Sequence, residues 1–133
     1  MTDERYERGL KVRREVLGDA YVDGALEGTD EFTRPLQEIV TQFCWGEMWT
    51  RPGLSRKSRS MLNLALLAAL NREAEFKAHL RGAVHNGCSE TEIQEILLHV
   101  GVYCGIPAAV EAFRNARSVL AEMKDEKSPA GTG

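Results

Sequence analysis

An all-α fold is predicted for this 133-residue chain by three observations. Apolar residues recur at steps of three and four along most of it. No segment alternates apolar and polar residues as a half-buried strand would, and helix caps and breakers fall between the periodic runs. We expect a compact bundle of about six helices with short connections.

The first helix is expected over Arg5–Leu17, where Tyr6, Leu10, Val12, Val16 and Leu17 stand among charges and Gly18 closes the run. Asp19–Gly28 carries Gly24 and Gly28 and reads as turn-rich, with no more than a short helical piece. Thr29 is placed as the N-cap of a second long helix, with Asp30 and Glu31 at the positive end of its dipole. Phe32, Leu36, Ile39, Val40 and Phe43 follow at helical spacing, and Trp49–Gly53, with its Pro-Gly pair, breaks the run. Ser55 caps a third helix, Arg56–Leu70. Its second half, Met61–Leu70, is apolar on nearly every face, so subunit contacts are expected as well as an internal core. Asn71 stops it. A fourth helix, Glu73–His85, ends at Asn86-Gly87, a pair suited to a left-handed cap. Ser89-x-x-Glu92 is a capping box that opens a fifth, with Ile93, Ile96, Leu97, Val100 and Tyr103 along one side. Gly105-Ile-Pro107 ends it and starts a sixth, Ala108–Met123, stacking Val110, Phe113, Ala116 and Leu120. One domain over 1–123 and a frayed tail over 124–133 complete the expected organisation.

Seventeen basic against 20 acidic side chains leave a net charge of −3, which argues against a nucleic-acid surface or a basic membrane helix. The longest apolar run, Met61–Leu70, is too short to span a bilayer, and the charged start is no signal peptide. Cysteines 44, 88 and 104 form no close pair; reduced thiols in a cytoplasm are the simpler reading. Metal binding finds little support, because His and Cys lack short ligand spacing. Redox, phosphate-loop and hydrolase-elbow motifs are likewise missing.

Two clusters could carry chemistry. Arg72, Glu75 and His79 share one face of the fourth helix, with His79 at the edge of the buried side. It could exchange protons near neutral pH, a carboxylate neighbour raising its pKa; the alternative is a surface Glu–His pair that supports the helix. His85 is read as a cap residue, and His99 as a core or interface histidine. The second cluster, Cys44–Gly53, holds both tryptophans, Trp45 and Trp49, beside Glu47 and Arg51. It fits a pocket in which indoles form the wall, Arg51 grips a carboxylate, and Glu47, if desolvated, gives up a proton. It fits equally a structural turn with Glu47 and Arg51 paired on its rim.

The motifs Arg5-Tyr-x-x-Gly-x-x-Val-Arg-Arg-Glu-Val-Leu-Gly18, Trp45-Gly-Glu-Met-Trp-Thr-Arg-Pro-Gly-Leu54, Leu70-Asn-Arg-Glu73, His79-Leu-Arg81 and Tyr103-Cys-Gly-Ile-Pro107 together resemble the carboxymuconolactone decarboxylase family. The resemblance runs from about Arg5 to Ala121. It implies a cofactor-free carboxy-lyase of the protocatechuate branch of the β-ketoadipate pathway, converting 4-carboxymuconolactone, a dicarboxylate lactone, to 3-oxoadipate enol-lactone and CO2. It also implies a cytoplasmic homo-oligomer, commonly a hexamer (a trimer of dimers), with the site at or near a subunit interface. Under it His79 and Glu47 become the catalytic pair, and Arg51, Arg81, Trp45 and Trp49 bind substrate. Thiol-peroxidase-like members of the wider family carry Cys-x-x-Cys-x-x-x-His. Here Arg72 and Glu75 occupy the thiol positions before His79, and Ser60 stands where those members have a relay glutamate, which disfavours a thiol antioxidant. A non-catalytic helical binding oligomer is the remaining alternative.

Overall fold

The computed structural model describes residues 3–127, and they are helical nearly throughout, with no strand among them. Seven α-helices and one π-helix follow in order: α1 (Glu4–Leu17), α2 (Asp19–Glu27), α3 (Arg34–Ile39) running into a π-helix (Val40–Met48), α4 (Arg56–Ala69), α5 (Glu73–His85), α6 (Glu90–Cys104) and α7 (Ile106–Lys127). The all-α expectation holds. None of these helices is long and apolar enough to cross a membrane. The chain divides into two compact units, Met1–Arg59 and Ser60–Gly133.

In the first unit α1 is capped by Asp3, whose carboxylate accepts from the Arg5 amide at 2.7 Å. The stretch expected to be turn-rich is instead a nine-residue helix, α2. Gly18, at φ 92°, reverses the chain and lets a new helix begin at once. Val22 is fully buried, and the Arg14 guanidinium grips both Asp19 and Asp23 at 3.1 and 2.8 Å. Thr29 does not cap the next helix. Asp30 and Thr33 bond each other's backbone amides, closing a turn that delays the start to Arg34, with Pro35 in the first turn. That helix then widens into π geometry, the Trp49 amide bonding five residues back to the Cys44 carbonyl at 3.0 Å. The π segment packs on α1 with almost no separation at two glycines. A Cβ on Gly9 would stand 1.8 Å from the Thr41 carbonyl oxygen, and one on Gly46 would stand 2.4 Å from that of Arg5.

The second unit packs Leu64 and Ala68 of α4, Phe76, Leu80 and Ala83 of α5, Ile93, Leu97 and Val100 of α6, and Ala112, Ala116, Val119 and Met123 of α7 into one core. Several helix ends match the residues that foretell them. Ser55 accepts from the Ser58 amide, Asn71 takes φ 59°, and the capping box at Ser89 and Glu92 forms both of its bonds. At the end of α5 the Gly87 and Cys88 amides bond back to Val84 and Ala83, with Gly87 at φ 94°.

One expectation in this unit agrees with the structure and three need correction. Met61–Leu70 is partly covered within this chain, with Leu62 and Leu66 of α4 and Leu70 just after it exposed, as an expectation of contacts beyond the internal core allows. Tyr103 is exposed and stacks on an equally exposed His99, ring centroids 4.7 Å apart, so His99 is no core residue. The buried face of α7 is Ala109, Ala112, Ala116, Val119 and Met123, and Val110 points away from it. Small side chains win that face because α7 approaches α6 closely; a Cβ at Gly101 would meet Ala109 at 3.0 Å. Finally, α7 runs through Lys127, past the expected end at Met123. Arg81 of α5 ties down its last turns through Glu122 and Glu126. The rest of the expected tail lies outside the described residues.

Candidate active site

The six residues singled out from the sequence fall four in the first unit and two in the second. In the first, Trp45 and Trp49 are both buried and stack on each other, ring centroids 4.7 Å apart and planes 22° from parallel. Trp45 belongs to the π-helix, whose Thr41 and Gly46 are also buried, and Trp49 is its C-cap residue. Around them the backbone is held by cations from outside the π-helix. Arg8 Nε donates to the Gly46 carbonyl at 2.9 Å, and Arg59 donates to the Arg51 carbonyl at 3.0 Å.

Glu47 and Arg51 do not pair with each other. Glu47 accepts from Arg5 at 2.9 Å across to α1, and 40% of its side chain is exposed. Desolvation by the indoles, the condition for an acid role, is therefore not met in the free chain. Arg51 sits in the turn after the π-helix with an exposed guanidinium and has no ion-pair partner among the described residues. An unneutralised cation on a turn that is anchored by Arg59 is suited to receiving a carboxylate.

In the second unit α4 and α5 face each other through a short polar seam inside an otherwise apolar interface. Asn63 Nδ2 lies 3.4 Å from His79 Nδ1, and Asn86 Nδ2 donates to the hydroxyl of fully buried Ser60 at 2.9 Å. The Asn63 amide nitrogen can only donate, so Nδ1 accepts and the neutral ring carries its proton on Nε2. Burial pushes the His79 pKa down from 6.5 to about 4. The expected rise is not what is found: Glu75 is exposed, and desolvation lowers the imidazole pKa. His79 is thus neutral at neutral pH, with Asn63 beside Nδ1.

Arg81 takes up a structural post. Both of its terminal nitrogens bond Glu126, at 3.0 and 2.9 Å, and one also meets Glu122 at 3.3 Å. The guanidinium holds the Glu126 carboxyl below its ordinary range. None of the three cysteines is in a disulfide; Cys88 is buried, and Cys44 and Cys104 are exposed.

Sequence reasoning gave no part in a site to Asn63, Arg59 or Arg5, and read Asn86 only as part of a helix cap. Asn63 carried a signal, since it interrupts the apolar run Met61–Leu70 one turn after Ser60. The others reach their partners only through tertiary packing.

The model of the carboxymuconolactone decarboxylase family matches residues 34–118. Nitrosuccinic acid decarboxylase of Metarhizium robertsii is 45% identical over 121 residues, 91% of this chain and 85% of that protein. 4-Carboxymuconolactone decarboxylase of Acinetobacter baylyi is 43% identical over 124 residues, 92% of each chain. A protein of the same description from Pseudomonas putida is 46% identical over 44 residues, a third of this chain.

Proposed function

The chain belongs to the carboxymuconolactone decarboxylase family and is a decarboxylase; from that premise we propose that it removes CO2 from 4-carboxymuconolactone, giving 3-oxoadipate enol-lactone in the protocatechuate branch of the β-ketoadipate pathway. The observation that carries this reading is the 43% identity to a 4-carboxymuconolactone decarboxylase over 92% of both chains. The 45% identity to a nitrosuccinic acid decarboxylase supports a second substrate of related chemistry. Each molecule bears two carboxylates and its own electron sink, the unsaturated lactone carbonyl in one and the nitro group in the other. Neither reaction calls for a cofactor.

On the lactone, the C–CO2 bond at the γ-carbon breaks, and its electron pair passes through the adjacent C=C into the lactone carbonyl. The resulting dienolate takes a proton at the α-carbon, which leaves the double bond between the β- and γ-carbons. The protein has to orient the departing carboxylate, favour charge on the enolate oxygen and deliver that proton. We assign the proton to His79 and the grip on a carboxylate to Arg51. Trp45 and Trp49 form the apolar wall beside which a carboxylate converts to neutral CO2. Glu47, which accepts from Arg5, is the partner or alternative acid. Arg81 would have to leave Glu122 and Glu126 to meet substrate, and its part is the weaker one.

The test is turnover of the lactone, followed by CO2 release, with nitrosuccinate in parallel. Lactone consumption should exceed that of nitrosuccinate in kcat/KM. Arg51→Ala should cost about a hundredfold, whereas Arg81→Ala should leave turnover within about threefold. Preference for nitrosuccinate would transfer the assignment to the second substrate, and a collapse in Arg81→Ala would restore that residue to the site.

A further inference from the structure

A half-open cavity of about 190 Å3 is formed within the second unit, where the end of α4, the start of α5 and the first half of α7 meet. It is roughly six times the ~30 Å3 that a water occupies in the liquid, so it has the size of a small organic molecule. None of the residues given a part in decarboxylation lines it. Its walls are of two kinds. Leu67 and Phe76 form an apolar end, and Arg72, Glu73, Glu111 and Asn115 supply the polar groups.

Asn115 is the unusual member. Only 6% of its surface is exposed, yet its carboxamide hydrogen-bonds to no described residue. Asn115 lines the cavity, and a carboxamide carries both a donor and an acceptor that a polar ligand could meet there. The start of α5 adds to this. Arg72 is its N-cap residue, but no side chain bonds the first-turn amides, so the positive end of a 13-residue helix opens on the same region.

The charges select the ligand. Arg72 forms no ion pair among the described residues, whereas Glu73 and Glu111 are two carboxylates, of which Glu111 is engaged by Arg114 at 2.7 Å. A simple anion would meet Glu73, and a simple cation would meet Arg72 and the helix end. A molecule with a carboxylate and an ammonium on one carbon answers both, and its apolar remainder fits against Leu67 and Phe76. We propose that this cavity binds a small zwitterion, an apolar α-amino acid. Its carboxylate lies toward Arg72 and the α5 amides, its ammonium toward Glu73, and Asn115 bonds the pair of charged groups.

Amide NMR titration of the full chain with L-leucine, 3-methylbutanoate and 3-methylbutylamine tests this. Leucine should saturably shift amides of Asn71–Phe76 and Ala108–Asn115, and bind at least about tenfold tighter than either half-molecule. Arg72→Gln, at an exposed position, should weaken leucine about tenfold. Asn115→Ala should do the same if its helical spectrum is unchanged, and Arg72→Gln decides the matter if it is not. No saturable shift, equal binding of 3-methylbutanoate, or undiminished binding in Arg72→Gln would each overturn the proposal.

Discussion

In the proposed mechanism His79 starts the cycle neutral, because burial lowers its pKa to about 4 while Asn63 lies beside Nδ1. A proton donor in that state has to be charged on substrate binding. A ligand that carries two carboxylates into an apolar seam raises the imidazole pKa by the same Coulomb attraction that holds the ligand. kcat/KM, which reports the free enzyme, should then fall by about tenfold per unit as pH rises above about 4, while kcat persists to higher pH. A kcat/KM level through neutral pH would mean that the neutral ring acts through its Nε2–H on the enolate oxygen and that another group delivers the proton. The same shift bears on stability. The folded pKa is depressed, so the unfolded chain binds the extra proton first. The contribution is intact above 6.5 and is lost as pH falls toward about 4, by up to about 3 kcal/mol, a loss that His79→Gln should remove.

The crossing of α1 with the π-helix decides where both indoles go. Backbone meets backbone at Gly9 and Gly46, and neither partner can step aside as a flexible side chain would. Gly46→Ala should therefore cost about 2–3 kcal/mol in urea unfolding. Gly24→Ala, in α2 with nothing within 4 Å of the added carbon, should stabilise by about 0.5–1 kcal/mol. Equal midpoints for the two variants would contradict the packing described. Both glycines were visible as letters, but a periodicity of three and four cannot announce a π-helix, nor the partner that makes a glycine obligatory. The α2 error has the same source. Gly24 weakens local helix propensity, and Val22 and the Arg14 ion pairs override it through contacts with α1 and its end.

For the whole molecule, the apolar residues left exposed are informative. Leu62, Leu66 and Leu70 form a stripe along α4, and Phe32, Val102, Tyr103 and Ile106 are exposed elsewhere. A single exposed leucine needs no explanation, but a stripe on consecutive turns of one helix supports burial by another subunit. We therefore retain the homo-oligomer, with a hexamer as its form, as a proposal. Sedimentation should give a mass above that of one chain, and Leu66→Glu should lower it without changing helix content. A wild-type monomer at micromolar concentration would sink it. The net charge of −3 does not oppose an acidic substrate, since one exposed arginine near neutral indoles sets the local potential more than the sum over the surface does.

Helix class, most helix ends and the family were legible in the amino-acid order, because they depend on local signals: spacing along one helix, caps such as Ser55, Ser89 and Asn71, and contiguous motifs such as Trp45–Gly53. Which candidate residues were chemically available was not legible. The sequence does not show that Arg5 reaches Glu47, that Glu126 engages Arg81, or that burial lowers the His79 pKa. A side chain's partners and its solvation belong to residues distant in sequence. Its pKa and its freedom to meet a substrate are therefore set by the tertiary structure.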